Sequence, residues 1–124
     1  METNNALIAK FMGWQSKMFQ VYADQEKEQI WFRPGEDFPS DYYRSVELLF
    51  DSSWDWLMPV IEKIEKLGYD TGICGVLIGK ENLTEVLITP CVKKNGSVEV
   101  HSRTSQPKFE NVYRSVVEFI ILTQ

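Results

Sequence analysis

Residues 51–68, DSSWDWLMPVIEKIEKLG, constrain the fold more than any other part of the chain. Trp54, Leu57, Met58, Ile61 and Ile64 recur at spacings of three and four and make one apolar helical face, while Asp55, Glu62, Lys63 and Lys66 take the others. Ser52 or Ser53 supplies the N-cap, and Asp55 stands in the first turn, where the positive end of the helix dipole favours an acid. Gly68 is placed for the left-handed residue that closes a helix. The pattern predicts a core-packing helix that buries Trp54. Pro59 interrupts it, because a proline in a helix interior removes a hydrogen bond and crowds the preceding turn. The helix therefore either kinks there or begins there, after a separate turn that carries both tryptophans.

The other elements follow from shorter signals. Asn4 or Asn5 caps a first helix running through Met12, with Leu7, Ile8, Phe11 and Met12 as its stripe and Gly13 at its end. The apolar runs 18–22 and 30–32 flank a wholly polar stretch at 24–29, as a hairpin or an irregular arm would. Residues 33–41, RPGEDFPSD, read as a loop. Residues 73–78 and 83–89 are rich in β-branched residues and bounded by breakers, which predicts two paired strands. Asn95-Gly96 marks a hairpin turn, followed by an alternating strand at 97–103 with Val98 and Val100 inward and Glu99 and His101 outward. A final helix spans about 110–122, its stripe of Phe109, Val112, Tyr113, Val116, Val117, Ile120 and Ile121 set opposite Glu110, Arg114, Ser115 and Glu118. This order predicts an α+β domain with helix-sheet-helix layers, a mainly antiparallel sheet of three to four strands and two main amphipathic helices.

At 124 residues the chain is long enough for one domain, residues 1–124, to hold itself together without a disulfide or metal staple. Residues 23–43 are set into it as an acidic, aromatic-rich loop or hairpin insertion. No apolar run approaches the roughly 20 residues of a membrane span, and METNNALIAKFMG lacks the basic and apolar regions of a signal peptide, which predicts a soluble cytoplasmic protein. The net charge of −5 is unevenly placed. Residues 22–62 hold ten acids (Asp24, Glu26, Glu28, Glu36, Asp37, Asp41, Glu47, Asp51, Asp55, Glu62) against Lys27, Arg33 and Arg44, a local balance of −7, and the remainder is nearly neutral. Such a field repels nucleic-acid phosphates and favours a protein partner with a basic surface.

Catalytic signatures are weak. The stretch GVLIGKE at 75–81 imitates a phosphate-binding loop, but its spacer is one residue short and Glu81 replaces the required hydroxyl. Cys74 and Cys91 lack the spacing and the histidines of a metal site, and Cys74 within an apolar run reads as a small buried hydrophobe. His101 falls on the wet face of its strand, and paired acids such as Asp51 with Asp55 or Glu62 with Glu65 are spaced like solvated helix faces. The chain is accordingly read as a non-enzyme without cofactor or metal, a small hydrolase using Cys74 or His101 being the minor alternative. The crowded aromatics are more informative: Trp31, Phe32, Tyr42 and Tyr43 among Asp24, Glu26, Glu28, Glu36, Asp37 and Asp41 have the composition of a partner-binding surface.

Three blocks, NALIAKFMG near the start, FDSSWDWLMPVIEKIE at 50–65 and YRSVVEFI at 113–120, resemble small uncharacterised phage and prophage proteins of the phage ABA-sandwich-like type. The resemblance implies a helix-sheet-helix architecture and a phage context within a bacterial host cell, and it carries over no catalytic residue. Joined to the acidic aromatic segment, it leads to the expectation of an inhibitor of bacterial defence, an anti-CRISPR that binds a guide-RNA effector protein. A self-associating phage accessory or structural protein is the alternative.

Overall fold

The computed structural model describes residues 3–20, 23–24, 26–35 and 42–124. The chain divides into two compact units, residues 1–49 and 50–124. The mixed α+β class stands, and the antiparallel three-stranded sheet occurs twice.

The first unit opens with helix α1, Asn4–Phe11. Its cap is Thr3, whose hydroxyl accepts from Ala6 N–H at 3.1 Å, and not Asn4 or Asn5; the Asn5 side chain donates instead to the Leu48 carbonyl at 3.2 Å. The buried face comprises Ala6, Ile8 and Ala9, so of the expected stripe only Ile8 is buried, because small residues let this face approach closely. Strand β1, Gln15–Phe19, and strand β2, Glu28–Phe32, form the antiparallel hairpin, with Gln15 opposite Phe32 and Phe19 opposite Glu28. Strand β3, Tyr43–Arg44, adds to the other side of β2 and leads into a single 3-10 turn, Ser45–Glu47. β2 is thus the central strand. Ile30, Trp31 and Phe32 are buried in succession, as in a strand covered on both faces.

The second unit begins with helix α2, Trp54–Lys66, which carries Pro59 inside it. The helix does not start at the proline: Trp56 and Leu57 N–H groups already bond the Ser53 carbonyl, so Pro59 removes one donor from an existing ladder. Leu57, Val60, Ile61 and Ile64 form its buried face. Trp54 is 39% exposed and Met58 is also exposed, against expectation. Trp54 lies at the first helical position and lays its ring edge-on to Phe109, centroids 4.8 Å apart, at the margin of the core. Gly68 ends the helix at φ +97°.

Strand β4, Tyr69–Ile78, and strand β5, Glu81–Pro90, pair antiparallel over ten residues without a bulge. Strand β6, Val100–Thr104, pairs on the far side of β5. The Asn95-Gly96 turn does not join two strands directly. Ser97 N–H closes it on the Lys94 carbonyl at 3.1 Å with only Gly96 at positive φ, a geometry that lacks the twist of a two-residue hairpin, and β6 starts three residues later than Ser97. Helix α3, Lys108–Thr123, completes the unit. α2 packs on β4, α3 packs on β5 and β6, and the two helices touch each other. Between them and the sheet lie Val86, Ile88, Val100, Val112, Val116 and Ile120. Ser115, assigned by spacing to the polar face of α3, is buried, as is Phe119, while Ile121 is exposed. Among the described residues no helix is long and apolar enough to cross a membrane.

Candidate functional site

The acidic stretch is not one structural piece. Of the ten acids, Asp51, Asp55 and Glu62 belong to the second unit, and the others fall within the first. The candidate partner-binding residues therefore reduce to what the first unit does with its β1–β2 hairpin and β3.

Asp24 and Glu26 stand exposed in the connection between β1 and β2, next to exposed Lys27. Gln20 shapes this connection, its side-chain amide donating to the Ala23 carbonyl at 2.8 Å. Glu28 is already engaged: Arg44 reaches it from β3 with Nε at 2.5 Å and a second nitrogen at 3.1 Å, a bidentate pair across the sheet. The Arg44 backbone N–H in turn donates to Glu47, which is the acid of a capping box at the 3-10 turn. Glu28 is thus paired within the fold, whereas Glu47 caps the turn and stays exposed.

The aromatics divide differently from the expectation. Trp31 is fully buried, its indole N–H donating to Ser45 Oγ at 3.3 Å, and Phe32 is buried beside it. Neither can serve as a surface anchor, because both side chains are buried. Tyr43 pairs in register with Trp31 and is half-buried, as is Tyr42. Tyr43 packs against Trp14 at 5.5 Å, and the Arg33 guanidinium lies over both rings, 5.9 Å from Trp14 and 5.4 Å from Tyr43, while donating to the Tyr43 hydroxyl at 3.0 Å. Sequence spacing gave no sign of this Trp14–Arg33–Tyr43 cluster, since its members are joined only by the sheet. Glu36, Asp37 and Asp41 lie outside the described residues.

In the second unit, the outward face of β4–β5–β6 gathers the residues of the hydrolase alternative. Cys74, Glu85 and Arg103 occupy one row of the ladder, and Gly72, Leu87 and His101 the next. Glu85 accepts from Arg103 at 2.6 Å and 2.9 Å and lies 3.3 Å from His101 Nε2. The Arg103 hydrogen bond, and after it that of His101, holds the Glu85 carboxyl below the usual carboxylate range. Cys74 and His101 are two strands and one row apart, so this is an ion-pair ladder rather than a nucleophile with its base. Both cysteines are exposed free thiols, which corrects the reading of Cys74 as buried. Every second residue of β4 turns outward, and Cys74 falls on that side of the alternation. A hydrogen bond to Asp70, and after it desolvation, raises the Cys91 thiol above its ordinary range and so lowers its thiolate fraction. Among the described residues no group of three His, Cys, Asp or Glu side chains is disposed to hold a metal ion.

No family model, no curated protein and no solved structure matches the chain.

Proposed function

We propose that the chain is a binding protein whose β1–β2 hairpin docks on a basic protein surface, and that the partner is a bacterial defence effector whose nucleic-acid channel the acids occupy. The supporting observation is that Asp24 and Glu26 stand exposed at the end of a hairpin whose inner residues are locked in the fold. A rigid scaffold that presents loop charges at its tip is a common form of recognition element. The defence-effector reading rests on the resemblance to phage proteins, and the basic channel on charge complementarity with the acidic stretch.

The test combines capture of partners from a bacterial host lysate, read by mass spectrometry, with charge reversal. Asp24→Lys with Glu26→Lys is expected to weaken binding to a purified guide-RNA effector about tenfold at low salt and to flatten its salt dependence, since rim charges act mainly through long-range attraction. Inhibition that survives both reversals undiminished removes the hairpin from the interface.

A further inference from the structure

β4 is an edge strand, and among the described residues no other strand meets its outer side. The backbone groups that face outward follow from the ladder. Pro90 has no N–H, so Tyr69 opposite it belongs to a pair without hydrogen bonds, whereas Cys91 N–H donates to the Gly68 carbonyl at 2.9 Å. Antiparallel pairing alternates, which commits residues 70, 72, 74, 76 and 78 to β5 and turns the N–H and C=O groups of Tyr69, Thr71, Ile73, Gly75 and Leu77 to the open edge. Natural edges of this length are blunted by lysine, proline, a bulge or an inward charge. From 72 to 78 the strand reads GICGVLI and has none of these, and Leu77 and Ile78 are 68% and 47% exposed.

We propose that this edge pairs with the same edge of a second copy, antiparallel about a two-fold axis at Ile73, so that two three-stranded sheets become one of six strands. What a two-fold register brings together from the strand's own residues favours a second copy as the occupant. The outward set is centred on Ile73: residue 69 meets 77, 71 meets 75, and 73 meets itself, so all five N–H groups of each copy find carbonyls. Asp70, the one charge in the strand, falls opposite Val76, and no like charges face each other. Exposed Leu77 meets Tyr69, and Cys74 falls opposite Gly72, which leaves room for the thiol. An isologous contact of this kind closes at two copies and exposes no further edge of β4.

Sedimentation of the full chain across a concentration series is expected to show a species of twice the 14.5 kDa chain mass. The two Cys74 thiols become diagonal cross-strand neighbours, so in a Cys91→Ser background a bismaleimide spanning about 8 Å is expected to link them. The double variant Gly75→Lys with Leu77→Lys puts charge on the edge at a glycine whose added Cβ meets nothing within 4 Å and at an exposed leucine. It is expected to keep the circular dichroism spectrum and, at concentrations where the parent is monomeric, its melting temperature, while raising the dimer dissociation constant at least tenfold and losing the Cys74 crosslink. A chain that stays at 14.5 kDa up to its solubility limit overturns the proposal, as does a dimer that persists in the double variant without the crosslink. Asp24 and Glu26 lie outside β4, so these outcomes are independent of the hairpin reading.

Discussion

Asn111 and Ser115 are both buried on α3, one helical turn apart, and their chemistry is opposite. The Asn111 amide donates to the Thr84 carbonyl at 2.9 Å and its oxygen accepts from Ser102 Oγ at 2.6 Å, tying α3 to β5 and β6. Asn111→Ala removes one hydrogen bond each from the half-buried Ser102 hydroxyl and Thr84 carbonyl and is expected to cost about 1 kcal/mol, read as a shift of the urea midpoint at constant slope. Ser115 Oγ has no partner, so Ser115→Ala removes an unsatisfied hydroxyl and is expected to leave stability unchanged or raise it. On the outward face of the sheet the depressed pKa of Glu85 works through pH. A carboxyl whose folded value lies below its unfolded one contributes stability above the unfolded value of 4.5 and loses it as pH falls through the folded value. Melting curves of the parent and Glu85→Gln are therefore expected to differ most near neutral pH and to converge in acid below 4.5.

Where α2 hands over to β4, Gly68 at φ +97° supplies a turn that L side chains rarely adopt. A Cβ added there meets nothing within 4 Å, so Gly68→Ala isolates the backbone penalty, expected at about 1–2 kcal/mol in chemical denaturation. Such local devices were readable in the sequence: Gly68 as a terminator, the apolar period of α2, and the β-branched runs of β4 and β5 each depend on residues within a few positions. What escaped depends on distant partners. Trp31 reads as a surface aromatic among acids, whereas the fold buries it completely with its indole N–H on Ser45, although the unbroken apolar run 30–32 already carried the mark of a strand buried on both faces. The Asn95-Gly96 pair predicted a direct hairpin, but the nine residues between β5 and β6 make a longer loop with the turn inside it. Of the residues expected to bind a partner that the structure describes, Asp24 and Glu26 are exposed, whereas Glu28 is paired by Arg44 from a strand sixteen residues away, which spacing within the acidic stretch does not show.

The two compact units differ in what each can bury alone. Residues 50–124 contain a complete three-stranded sheet, two helices packed against it, and a core running from Leu57, Val60 and Ile64 through Val86 and Ile88 to Val116 and Phe119. Asn111 satisfies its polar groups within the same stretch. The described part of residues 1–49 holds one eight-residue helix and three strands of two to five residues, and a unit of this length is close to the lower limit of about 40 residues for an unstapled core. Expressed separately, 50–124 is expected to unfold in a single cooperative thermal transition with a near-ultraviolet signal from Trp54 and Trp56, whereas 1–49 is expected to melt without cooperativity. Both tryptophans report on packing within this unit, Trp56 against Phe50 at 5.2 Å and Trp54 against Phe109. A 50–124 fragment that lacks the near-ultraviolet signal and binds a hydrophobic dye would mean that its core is completed by the first unit, and the chain would then be a single folding unit despite its two compact parts.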